Sequence, residues 1–176
     1  LGLVSGGTLS GLNIAGLGLV GKARVMGLNI GGLAAVSRGD LSFITVAGLA
    51  AVGVGSVRGL TFAGAAIVSE GDIAGMSATI GAIQSGTTVS GIMIAGFRTK
   101  ADCLSGVDLT VITTEAQCAS GLIVGAYNRV YDVQRGVSIG IFNHAGSLRG
   151  VQIGLLNYAE NNPEGLKILP ILNAHF

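Results

Sequence analysis

Charge is scarce in this sequence. Lys, Arg, Asp and Glu make up 11% of its 176 residues, tryptophan is absent, and prolines, histidines and cysteines number two each. Soluble chains average about 25% charged residues. The ten basic and nine acidic side chains stand singly, for a net charge of +1. No basic stripe is available to track phosphates, so nucleic-acid binding is not expected. No long apolar stretch escapes interruption by glycine or polar residues, so no transmembrane helix is expected either. Disorder needs high charge and few aliphatic residues, whereas 49% of this chain is hydrophobic. The chain opens on Leu1 rather than Met, which reads as a matured or shortened product.

What the chain has in abundance is glycine, 31 residues of it, at regular intervals. Cutting after each recurrent glycine gives five blocks of equal length, 12–27, 28–43, 44–59, 60–75 and 76–91, beginning LNIAGLGLVGKARVMG and LNIGGLAAVSRGDLSF. Blocks 92–106, 107–121, 122–136 and 151–165 are each one residue shorter, and 137–150 is shorter by one more. Residues 1–11 and 166–176 are partial units. Glycine closes the lead-in and nine of the ten full blocks, with Phe43 the exception. With slots numbered from Leu12, apolar residues fill slots 1 and 3 (Leu12 and Ile14, Leu28 and Ile30, Ile44 and Val46), slot 6 (Leu17, Leu33, Leu49) and slot 14 (Val25, Leu41, Val57). Alternation of period two over short spans is a strand signal, and glycine every few residues would cost a helix about 1 kcal/mol each.

The pattern predicts an all-β fold, a β-solenoid of about 11 coils with 14–16 residues per coil. Glycines make the corners, the apolar slots stack into a core, and length changes fall in the variable stretch near slots 11–13. The second slot (Asn13, Asn29, Thr45, Thr61, Ser77) is expected to face outward as a polar ladder. The rival architecture is a small outer-membrane β-barrel, inserted in a membrane, with one strand per block. The alternation Ile168, Leu172, Ala174, Phe176 resembles a closing barrel strand. Aromatics are only 5% of the chain, too few for two interfacial girdles.

Cys103 and Cys118 separate the two. They hold the same place in consecutive blocks, one block length apart. Solenoid stacking puts equivalent positions about 5 Å apart, within disulfide range, whereas an up-and-down barrel puts them at opposite rims. A Cys103–Cys118 bridge would indicate an oxidising compartment.

Residues 137–176, with VSIGIFNHAGS followed by LRGVQIGLLNYAE, resemble exported bacterial surface-repeat proteins built on GLQIGLLNYA-type units, a largely uncharacterised group. The matching residues are Gly150, Val151, Ile153, Gly154, Leu155, Asn157 and Ala159, and 12–136 follow the same pattern more loosely. The resemblance implies export to the bacterial cell surface or beyond, and it transfers no catalytic residue.

No chemical site emerges. Gly16, Gly18 and Gly21 spell a dinucleotide fingerprint but lie inside a glycine-laden repeat without a βαβ unit, so they read as corners. His144 and His175 lack partners and are expected on surface corners. Asp40, Glu70, Asp72, Asp102 and Asp132 fall near the variable corner, where a cation site would require oxygens converging on one point. No cofactor, metal or enzymatic activity is expected. The ends matter more, because an open coil exposes unpaired backbone groups. Leu1, Val4 and Leu9 continue the slots in mid-coil, so that edge reads as adhesive. Pro163, Pro170 and Phe176 mark a blunted opposite end. The expectation is a structural protein self-associating end to end into an extracellular filament, matrix or surface layer. The alternatives are an adhesin holding its ligand on Tyr127, Tyr131, Phe142 and Tyr158, or the barrel.

Overall fold

In the computed structural model, which describes residues 2–176, the strands form one 17-stranded sheet wound as a β-solenoid. In the first half each coil supplies a longer strand such as Val25–Gly31 and a shorter one such as Ala34–Ser37. The longer strand bends at a glycine of positive φ, 104° at Gly27, so a coil has three sides. Side A is 28–31, side B is 34–37 and side C is 25–27. Equivalent sides pair in parallel, Leu12 with Leu28 and Leu28 with Ile44. Parallel pairing of consecutive repeats is the register of a solenoid and not of an up-and-down barrel.

On side A the ladder climbs from Leu12 to Val151, ten rungs and therefore nine turns rather than about 11. The shortfall lies at the end. Ile168–His175 does not continue the coil but folds back and pairs antiparallel with 150–158, Val151 facing Ala174. The turn between carries Asn161, Asn162 and Pro163 and the positive-φ Gly165 at 91°, residues suited to reversing a chain. Length changes fall where the register shifts. The first shortening of the coil lies between the pairs Gln84–Lys100 and Thr88–Cys103, in the variable corner. A further change lies at the corner of Val111 and Ile112, where Leu109 faces Val124 but Thr113 faces Tyr127.

Alternation fixes which residues share a face, not which face is inside. In the first full coil Asn13, Ala15, Leu19, Gly21 and Val25 point inward. The apolar slot 14 is buried as expected, with Val25, Leu41, Val57 and Ile73 at 0% exposure. Slots 1, 3 and 6 are the reverse of expectation: Leu12, Ile14 and Leu17 lie on the outside, as do Ile44, Val46 and Leu49. The slot-2 ladder, expected to face solvent, is inside, with Asn13, Asn29, Thr45, Thr61 and Ser77 all buried. A narrow lumen explains the inversion. It accepts polar side chains because a partner can stand one rung away, as where Asn13 Nδ2 donates to Asn29 Oδ1 at 2.8 Å.

Phe43 breaks the glycine column in sequence and also in conformation, holding φ at 77° while its ring stays 66% exposed. A left-handed conformation costs a side-chain-bearing residue about 1–2 kcal/mol, and an exposed ring returns little packing. Phe43→Gly is therefore expected to stabilise the fold by about 1 kcal/mol, read as a raised midpoint of chemical denaturation. A lowered midpoint would mean that the ring packs for more than the backbone strain costs.

Candidate functional site

The interior carries a polar system that lies on one side of the lumen in the early coils and on both sides in the later ones. Slots 2 and 8 face each other across the lumen. In the early coils the slot-2 residue is polar and its slot-8 counterpart apolar, as with Asn13 and Leu19 or Thr61 and Ile67. At Met93 and Thr99 the order reverses, and the ladder position of Thr99 stays polar and buried from there on through Thr114, Asn128, Asn143 and Asn157, while slot 2 turns polar again at Asp108, Ser138 and Gln152. Asn128 Nδ2 donates to Asn143 Oδ1, and Asn143 Nδ2 to Asn157 Oδ1, both at 2.8 Å.

Asp108 lies at the crossover, 3% exposed. Its Oδ1 accepts from the Thr99 and Thr110 hydroxyls at 3.0 and 3.1 Å, and Oδ2 from Thr114 at 2.8 Å. Burial pushes its carboxyl above the ordinary value, and the three threonine bonds only partly oppose this. A carboxyl whose pKa is higher in the fold than in the unfolded chain holds its proton more tightly in the fold. Its stabilising contribution is therefore largest in acid and is lost as pH rises through the folded value. Asp108→Asn is expected to be more stable than the native protein at neutral pH, with the difference closing as pH falls towards 4. Paired thermal denaturation at pH 7 and pH 4.5 measures it, and an equal gap at both would mean that Asp108 is not a buried charge.

Two of the acidic residues of the variable corner, Asp40 and Asp72, serve the turn. Asp40 Oδ1 accepts from the Ser56 N–H at 3.0 Å, one coil on, and the Asp40 carboxylate lies 3.6 Å from Arg24. Asp72 accepts from the Thr87 hydroxyl at 2.7 Å and the Thr88 N–H at 3.3 Å, bonds that hold its carboxyl below the ordinary range. Among the described residues no three His, Cys, Asp or Glu side chains are grouped to hold a metal. Cys103 and Cys118 face each other in register and form a disulfide, their Cα atoms 4.6 Å apart.

The histidines are not on surface corners. His144 lies half-buried on side B, stacked on Tyr158 with ring centroids 4.8 Å apart. Burial pushes its imidazole below the ordinary value, and the Arg129 cation adds to that. His175 Nδ1 lies 2.9 Å from Asn162 Oδ1 in the closing hairpin. Tyr127 stacks on Phe142 at 5.1 Å, and Arg129 covers the Tyr131 ring at 4.8 Å. The aromatics gather on one stretch of the rod and stack on their neighbours there, with Tyr131 exposed.

The C-terminal end is closed by side-chain amides as well as by the returning strand. Asn161 Nδ2 donates to Leu148 O at 3.0 Å while its Oδ1 accepts from Leu148 N–H at 2.9 Å, imitating one more rung on side C. Pro170 stands at the break of register between the Gly154–Ile171 and Asn157–Leu169 pairs, and Phe176 is 95% exposed. At the other end Leu9 bridges Val25 and Val4 is 68% exposed; Leu1 lies outside the described residues.

The most extended feature of the surface is apolar. Along side A the outward residues run from Leu12 to Val151 in one column and from Ile14 to Ile153 in the next, without a charged or hydrogen-bonding side chain. Leu17, Leu33 and Leu49 begin a third column at the adjoining corner. No protein-family model, curated protein or solved structure matches the chain. The class shown is therefore that of the fold, a parallel β-solenoid with a stacked disulfide.

Proposed function

We propose that the chain is an exported bacterial structural protein, a rod that contributes to an extracellular filament, matrix or surface layer by associating with further copies. The observation that carries this reading is the apolar exterior of side A. The largest apolar patch on a monomeric soluble protein is ordinarily about 300–600 Å² and often functional, and this one reaches the upper part of that range as an unbroken strip nine turns long. The Cys103–Cys118 disulfide supports an oxidising compartment. The interior supports a scaffold, because its asparagine side chains bond one another and the backbone from coil to coil. Negative-stain electron microscopy of protein purified without detergent tests the reading. Filaments, sheets or bundled rods support it. A field of single short rods at high concentration overturns it.

A further inference from the structure

Resting on that structural reading, we infer that side A is the contact surface for a second copy of this chain, and that two rods pack face to face and antiparallel. The surface is the right size. Nine turns at about 4.8 Å each, and a four-residue side about 13 Å wide, make a strip of roughly 550 Å². Two strips enclose about 1,100 Å² in total, past the ~1,000 Å² at which an interface becomes specific. The surface is also self-complementary. Both partners carry outward ranks at the same rung spacing, so the two faces match rung for rung at the separation of stacked sheets.

The flanks of side A set the direction. One flank is the apolar corner of Leu33, Leu49 and Ile141; the other, past the glycine bend, carries Arg58, Arg135 and Arg149. Parallel rods related by a two-fold along their length would lay arginines of one copy over leucines of the other. A two-fold across the rods keeps like flanks together and reverses the rungs. Leu33 then meets Ile141, Arg58 meets Ser105 and Arg135 meets Met26, so no two arginines coincide. Such an isologous contact closes at two copies, so the pair is the unit that further surfaces would join into a filament or layer. Lipid is the other occupant that so apolar a face suits, and vesicle flotation separates the two.

The axis falls between the fifth rung, Met76 and Ala78, and the sixth, Ile92 and Ile94. Val46 on the third rung therefore faces Val124 on the eighth rung of the other copy. Val46→Cys and Val124→Cys are outward positions that leave the core untouched. Mixed and oxidised, the two variants should give a covalent heterodimer, while neither cross-links with itself. Self-cross-linking of each variant alone would set like positions of the two copies together and would overturn the proposal. The wild-type protein should elute as a dimer in size-exclusion chromatography with light scattering. The double variant Val46→Lys, Ile94→Lys should weaken that dimer roughly hundredfold, with its far-ultraviolet circular dichroism and disulfide unchanged. A monomeric wild type that floats with phosphatidylcholine vesicles would overturn the proposal in favour of lipid. If filaments persist in micrographs while the lysine variant leaves the association state unchanged, the face-to-face contact fails and the structural reading stands.

Discussion

Replacing Asn143 with alanine is expected to cost the fold about 4 kcal/mol, although the residue touches no surface. Its side chain is fully buried and uses all four of its hydrogen-bonding positions. Nδ2 donates to Ile153 O at 3.0 Å and to Asn157 Oδ1 at 2.8 Å; Oδ1 accepts from Asn128 Nδ2 and Ser138 Oγ, both at 2.8 Å. Alanine leaves the Ser138 hydroxyl and the Asn157 oxygen without a partner in a closely packed lumen, each at about 1–3 kcal/mol, and opens a cavity, while the Ile153 carbonyl keeps the Gly140 N–H. Asn128 loses least, because its amide also donates to Gly125 O and Ile139 O. Guanidinium denaturation followed by circular dichroism measures the loss. Asn143→Leu separates the causes, since it fills the volume and restores no bond. A leucine variant as stable as the native protein would refute the ladder as a source of stability and leave only a cavity.

That ladder also marks the boundary of what the sequence discloses. Period, phase, glycine corners and the facing cysteines were legible because each is an identity at a fixed spacing, and parallel stacking converts spacing directly into contact. Inside and outside were not. Polarity assigned Leu12 and Ile14 to the core and Asn13 to solvent, and the fold does the opposite because the lumen holds only five side chains per coil, two of them small. A usable signal was present in one turn, where slots 2 and 8 exchange character. Ser77 gives way to Met93 in the same turn where Ile83 gives way to Thr99. Residues that compensate one another across an alternation share a confined space, whereas solvent-facing positions have no cause to do so. The antiparallel return of 168–175 was hidden for another reason: its apolar alternation continues that of the coils, and only the turn chemistry around Pro163 distinguishes a reversal from another corner.

Gly91→Ala is expected to destabilise the solenoid by about 4 kcal/mol, through one methyl group at an exposed site. The backbone there holds φ at 108°, well beyond the left-handed region that other residues visit, and that conformation alone costs about 1–3 kcal/mol. The remainder is steric. A Cβ on Gly91 would stand 2.1 Å from the carbonyl oxygen of Gly75, one rung below, and the next glycine, Gly106, approaches the Gly91 carbonyl in the same way. The bend brings successive backbones too close for any Cβ, so the methyl cannot be absorbed by a rotamer change and must spread the ladder. Hydrogen exchange should therefore show the loss locally, with the amides of the rungs from Gly75 to Gly106 opening before those of distant coils. Ser90→Ala, one residue away and outward, should change nothing. Phe43 shows how the column tolerates a side chain: its φ falls to 77°, nearer the left-handed minimum. If Gly91→Ala cost no more than Phe43→Gly gains, that local adjustment would be available at every turn, and the glycine column would be a matter of composition and not of geometry.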